Sequence, residues 1–257
     1  MSVILLLAVV FSSLLGAAPI NHEVGSWYVK RNSEHCQPPP AYSYAEEYGA
    51  YYLDRAHGDG SSEKVLYLTF DAGYENGNVE KILDILKEKK VPGAFFILDN
   101  LILRNPGLVR RMRDEGHLVC NHTLRHKDMS KISDRDAFAH ELHALEELYR
   151  ERIGGEMAKY YRPPEGRFSR ENLKMAAELG YTTVFWSLAY ADWDNAKQPD
   201  EQAAIKKLLD NTHNGAIILL HPTSATNAAI LSRLIDAWRG EGYRFGTLDE
   251  IKGQQGA

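Results

Sequence analysis

The sequence predicts an α/β fold: a distorted (β/α) barrel of about seven units, complete or incomplete, preceded by an N-terminal extension. Three observations lead there. Short apolar runs rich in β-branched and aromatic residues alternate with longer segments of helical period. The connections between them are short. The runs are almost continuously apolar rather than alternating, which suits strands buried on both faces of a parallel sheet.

Val65-Leu66-Tyr67-Leu68-Thr69-Phe70 is the first such strand. A helix near 77–90 follows, because Val79, Ile82, Leu83, Ile85 and Leu86 recur at helical spacing. Val91-Pro92-Gly93 turns the chain into a strand at 94–98. A helix near 105–115 and a strand at 117–120 come next, then a long charged helix over about 134–152. Tyr160-Tyr161-Arg162 reads as a short strand and 169–179 as a helix. The strand 182–187, a helix near 199–212, the strand 216–220 and a helix near 224–241 complete the alternation, which Gly246-Thr247-Leu248 closes. Residues 19–62 are rich in Tyr, Pro and Gly and lack a clear period, so they read as an extension wrapped around a domain at 63–252. No internal repeat is visible.

The 257 residues are 44% hydrophobic and 25% charged, an ordinary globular mix. A net charge of −5 argues against a nucleic-acid binder, which shows a basic face. Two cysteines, Cys36 and Cys120, make no disulfide framework, and Cys120 lies in an apolar run that favours a buried free thiol. Residues 2–18 carry no charge and end in small residues, with Gly16 and Ala18 placed as for signal-peptidase cleavage. A signal peptide, or an uncleaved N-terminal anchor, over 1–18 is therefore expected, and the rest of the chain is expected to be exported, either secreted or held at the cell envelope.

In α/β barrels the active site forms at the C-terminal ends of the strands. Those positions hold Asp71, then His122 and His126, then Arg162 to Gly166, then Asp192-Trp193, and finally His221. A carboxylate and a four-spaced histidine pair at strand ends are what a hydrolytic metal site requires. If the histidine segment is helical, the spacing puts both rings on one face. His140 and His143 lie on a helix crowded with Glu and read as a solvated face. His117 reads as a strand-edge residue, and the tyrosines of 42–52 read as packing.

Taken in order, Thr69-Phe70-Asp71-Ala72-Gly73, His122-Thr123-Leu124-Arg125-His126, Arg162-Pro163-Pro164-Glu165-Gly166, Asp192-Trp193 and Leu219-Leu220-His221 resemble the five motifs of the polysaccharide deacetylases, carbohydrate esterase family 4. The run Ala72 to Gly77, with Phe185-Trp186-Ser187 and Trp27, Lys30 and Asn32-Ser33-Glu34, is similar to the branch that deacetylates muramic acid on the way to the δ-lactam of spore cortex. The resemblance implies a divalent metal, zinc or else cobalt, on His122 and His126. It implies Asp71 as general base, Arg162 as its partner, and His221 as general acid held by Asp192. It places the Glu165 N–H at the oxyanion and Trp193 and Leu219 around the acetyl group, and Arg167 is the candidate for meeting a lactyl carboxylate. Most of the family has a second Asp, a metal ligand, where this chain has Ala72, so metal held less firmly is expected, with Glu75 or Asn76 as conceivable replacements. The implied partner is peptidoglycan glycan, with no nucleic acid and no stable protein partner, and the implied state is a monomer. The competing readings are a deacetylase of N-acetylglucosamine, chitin or acetylxylan, and a silent cell-wall binding module.

Overall fold

A computed structural model of the protein describes residues 24–30 and 33–254. The expected leader or anchor over 1–18 lies outside the described residues. Among the described residues, ten strands and eight α-helices stand in the following order: β1 (Val24–Ser26), β2 (Lys64–Ala72), α1 (Val79–Lys89), β3 (Ala94–Ile97), α2 (Asp99–Arg104), α3 (Pro106–Asp114), β4 (Leu118–Asn121), α4 (Arg135–Arg152), β5 (Ala158–Tyr161), β6 (Arg167–Ser169), α5 (Arg170–Glu178), β7 (Thr182–Thr183), β8 (Leu188–Ala189), α6 (Glu201–Asp210), β9 (Ala216–Leu220), α7 (Ala225–Gly240), β10 (Tyr243–Phe245) and α8 (Leu248–Gln254).

Seven parallel strands form one curled sheet in the order β7-β5-β4-β3-β2-β9-β8, and β10 adds to β2 beside β3. This is the half-barrel form of the expected (β/α) fold. Alternation along β2 explains the layering: Leu66, Leu68, Phe70 and Ala72 face the helix layer with Val79, Ile82, Leu83 and Trp238, while Val65 and Tyr67 face the barrel interior.

The strand expected over 182–187 stops after Thr183 as β7, and β8 begins only at Leu188. The cause is Arg162, whose guanidinium takes the carbonyls of Val184 and Phe185 at 2.9 and 3.2 Å, so those groups are lost to the strand ladder. The extension spans the opening this leaves. Tyr51 bridges to Val184 and Leu53 to Ala216. Asp54 N–H donates to Gly215 C=O at 2.8 Å. Tyr44, Tyr52 and Leu53 pack with Trp27, Phe168 and Phe185 in a cluster of their own, so these tyrosines are packing residues as expected. His140 and His143 are exposed, and both cysteines are free, Cys120 being buried. His117 is buried just ahead of β4 and accepts the Gly93 N–H, a more interior place than a strand edge. Among the described residues no helix is long and apolar enough to cross a membrane.

Candidate active site

The C-terminal ends of five strands open into one cleft of about 800 Å³. Asp71 lies in β2, His122 follows β4, Arg162 follows β5, Asp192 follows β8 and His221 follows β9. Asp71, His122, His126, Glu165, Trp193, Leu219 and His221 all line that cleft.

Arg162 is wholly buried and reaches Asp71 from below, Nη1 to Oδ1 at 2.7 Å. Its Nη2 also donates to Thr69 Oγ1 at 2.9 Å, and its plane lies 4.1 Å from the Phe96 ring centre. Burial pushes the Asp71 carboxyl up, but the charges of Arg162, His122 and His221 outweigh it and hold the pKa below the ordinary aspartate value. Asp71 is therefore ionised at neutral pH, with Oδ1 engaged and Oδ2 turned toward His122 Nε2 at 3.6 Å.

The histidine segment is not helical. Thr123 and His126 hold left-handed backbone at φ 72° and 55°. Thr123 N–H donates to Asn121 Oδ1, and His126 N–H to Thr123 Oγ1. The two rings nonetheless converge, with centres 5.0 Å apart and planes at 74°. His122 Nδ1 meets the Arg162 carbonyl at 2.8 Å, which makes Nδ1 the protonated nitrogen and leaves Nε2 free toward Asp71. Burial pushes the His122 imidazole down to about 4, so it is neutral and able to ligate at pH 7. Such a donor set fits a divalent metal. Among the described residues no three His, Cys, Asp or Glu side chains form a ready cage, so the two imidazoles are the chain's principal offer.

Ala72 is buried in the core between sheet and helices and brings no oxygen. Glu75 does not compensate, because its two oxygens accept the N–H groups of Gly77 and Val79 at the start of α1. Asn76 donates instead to the Thr223 carbonyl.

On the far side of β2, Asp192 is buried with both oxygens engaged. Oδ1 accepts from His221 Nδ1 at 2.8 Å, and Oδ2 from His221 N–H at 2.8 Å and Asn227 Nδ2 at 2.6 Å. Burial pushes the His221 imidazole down, but the hydrogen bond and charge of Asp192 reverse this and raise its pKa above the ordinary value. Asn227 was not foreseen. A buried Asn on the apolar face of α7 is its only sequence signal.

Glu165 holds φ 56° in a short 3-10 turn after Pro163 and Pro164. Gly166 beside it is required: at φ 66°, an added Cβ would stand 2.9 Å from Trp186 and 3.0 Å from Trp27 Cβ. Trp193 is exposed, 6.2 Å from the His221 ring, and Leu219 is nearly buried. Arg167 does not line the cleft. It stands between Asp128 at 3.0 Å and Glu165 at 3.1 Å. Trp27, Tyr28, Tyr74, Trp186 and Tyr190 line the cleft without having been singled out for it.

The cleft thus joins an ionised carboxylate, the neutral imidazole of His122 with the His126 ring beside it, and an imidazole with raised pKa, the groups needed to cleave an amide by water. Residues 58–184 match the polysaccharide deacetylase family model. The chain is 38% identical to peptidoglycan-N-acetylmuramic acid deacetylase PdaA of Bacillus subtilis, over 91% of this chain and 88% of that protein. This chain belongs to the polysaccharide deacetylase family. The solved structure of Bacillus subtilis PdaA, described as a family 4 carbohydrate esterase, superposes with a TM-score of 0.85 at 37% identity, covering 92% of this chain and all of the other. Peptidoglycan-N-acetylglucosamine deacetylase PgdA of Listeria monocytogenes is 31% identical over 76% of this chain and 40% of its own length. As a polysaccharide deacetylase the chain is a hydrolase of the deacetylase class.

Proposed function

We propose that this chain removes the acetyl group from N-acetylmuramic acid residues of peptidoglycan outside the cytoplasm, as a step toward muramic δ-lactam in spore cortex. The observation that carries the reading is the pairing of two polarised dyads across one cleft, Arg162–Asp71 and Asp192–His221, beside His122 and His126. Asp71, kept ionised by Arg162, takes the proton of the attacking water. His221, kept protonated by Asp192, gives a proton to the departing amine. Protein N–H groups such as that of Glu165 stabilise charge on the acetyl oxygen. Trp193 and Leu219 bound the acetyl group. His122 and His126 hold a divalent metal, zinc by preference and cobalt as substitute, and when bound it supplies Lewis acidity toward water and carbonyl.

The choice of muramic acid is supported by the span of the likeness. A continuous match over 91% of the chain begins no later than about residue 24, so the likeness to the muramic acid deacetylase includes Trp27 and Tyr28 of the cleft wall. The match to the glucosamine enzyme is shorter. One observation favours the alternative, deacetylation of N-acetylglucosamine: no Lys or Arg lines the cleft among the described residues, and Arg167 is paired with two carboxylates.

Mass spectrometry of a glycan digest after treatment with enzyme and added zinc decides between them. Loss of acetyl from muramic acid is expected; loss from glucosamine alone overturns the muramic reading, and loss from neither overturns deacetylation. Arg167 stands outside the cleft on Asp128 and Glu165, so Arg167→Ala is expected to affect the muramic and glucosamine substrates alike, and a loss confined to the muramic substrate would show that it turns to meet the lactyl carboxylate.

A further inference from the structure

We propose that Tyr28 is a sugar-binding platform for the glycan residue next to the one being deacetylated, which makes the enzyme prefer a glycan strand over an isolated sugar. The proposal rests on the peptidoglycan reading above and deepens it. Tyr28 is 61% exposed, yet it is among the residues that line the catalytic cleft. An exposed aromatic ring at the edge of a pocket leaves apolar area in water unless something covers it.

The ring is held in place rather than left to wander. β1 pairs antiparallel with β6, Val24 opposite Ser169 and Ser26 opposite Arg167. Trp27 N–H then donates to Gly166 C=O at 2.8 Å, and Trp27 Nε1–H to Trp186 C=O at 2.9 Å. The Trp27 ring is buried and stacks on Phe185 at 4.2 Å and 12°. Trp27 thus plugs the extension into the barrel and delivers the next side chain, Tyr28, to the cleft wall. Tyr28 meets Tyr42 edge-on at 6.5 Å, a further restraint on its ring. A ring ordered before the ligand arrives loses little freedom on binding.

The occupant follows from chemistry and from room. The C–H-rich face of a pyranose matches the electron-rich face of an aromatic ring, and the phenol hydroxyl remains free to bond sugar hydroxyls. A cleft of about 800 Å³ lies near the upper end of the range that encloses a drug-sized ligand, so it holds more than one acetamido sugar. Trp193 stands 6.2 Å from the His221 ring, at the reacting centre of the proposed function. Tyr28 is carried by a different segment, beside Gly166 and Trp186, and so meets a neighbouring unit.

Tyr28→Ala, assayed on peptide-free peptidoglycan strands and on the single N-acetylmuramic acid sugar, tests this. We expect KM for the strands to rise roughly three- to tenfold with kcat nearly unchanged. The parameters for the single sugar should stay as in the wild type, Tyr28→Phe should restore strand binding, and the melting temperature should not move. An unchanged KM for strands, or an equal rise for both substrates, overturns the proposal. Calorimetric titration of the same strands into Asp71→Asn, with and without Tyr28→Ala, reads the platform even where no acetyl is released. Equal affinities there sink the platform, whereas a wild type that deacetylates nothing sinks the parent reading alone.

Discussion

At the scale of single residues, two buried ion pairs set two opposite protonation states, and this is what acid–base catalysis needs. Asp71 is drawn down mainly by Arg162, and His221 is drawn up by Asp192 against the effect of burial. Asp71→Asn should lower turnover by about 10²- to 10⁴-fold, the usual worth of a positioned base. Arg162 would keep neutral acceptors on Thr69, Val184 and Phe185, so the variant should still fold, with a lower melting temperature. Turnover near the wild-type level would refute the base role. For His221 the sign follows from its raised pKa. The acid is protonated at low pH and is lost as pH rises through the folded-state value above 6.5. Any stability from the pair is likewise fully present below the unfolded value and fades over the same rise. In Asp192→Asn only the charge of Asp71 still opposes burial, so the alkaline limb of the rate profile should move to lower pH. A limb that stays in place would show that another group supplies the proton. These residues were legible because each sits at a strand end. Asn227, which orients Asp192 from α7, was not, because nothing in a lone polar residue on an apolar helix says what it touches.

Among the elements, the segment 121–127 shows why the spacing of two histidines underdetermines their backbone. A helix would place both rings on one face, and so does this loop, by a different route. Its conformation is imposed from outside the segment. Asn121 Nδ2 donates to Leu142 C=O, Leu124 N–H to Glu141 C=O, and Lys127 pairs at 2.7 Å with the buried Glu141, all on α4. A β-branched residue at φ 72°, such as Thr123, persists only where its surroundings over-determine it. On the proposed function, with Ala72 contributing no ligand, metal affinity would depend on how well this loop holds two imidazoles. Asn121→Ala removes a buried acceptor and a buried donor and should cost about 1–3 kcal/mol of stability. Loss of a group that orients metal ligands should also weaken zinc binding by about 10- to 100-fold. Competition against a chromophoric chelator measures the affinity, and dialysis should strip metal even from the wild type. One zinc retained through extensive dialysis would show that the chain grips it with more than these two rings.

Over the whole molecule, what the sequence made legible and what it hid divide by the range of the contacts. The strand–helix alternation and the residues at the strand ends are local signals; the alternation holds, and those residues converge on one cleft. The role of the extension was hidden, because residues 24–57 have no period of their own and bond to elements far along the chain. Tyr51 N–H donates to Thr183 C=O, Phe185 N–H to Tyr51 C=O, and the Gln37 side chain reaches the carbonyls of Asp54, His57 and Asn214. The extension therefore spans the gap that Arg162 opens between β7 and β9, and one end of it carries Trp27 and Tyr28 into the cleft. Gly215 is where strap and barrel come closest. It holds φ 73°, and an added Cβ would lie 2.3 Å from the Asp54 carbonyl oxygen, a backbone atom that cannot step aside alone. Gly215→Ala should thus lift the strap and cost about 1–3 kcal/mol as an overpacked, strained site. Because Tyr52 and Leu53 share one apolar cluster with Trp27, the displacement should reach the cleft wall. KM for glycan strands should rise while the pH profile, which the proposed function assigns to Asp71 and His221, keeps its shape. A melting curve and a pH–rate profile on the same variant separate the two effects. A lower melting temperature with KM unmoved would mean that the strap supports the barrel without shaping the cleft.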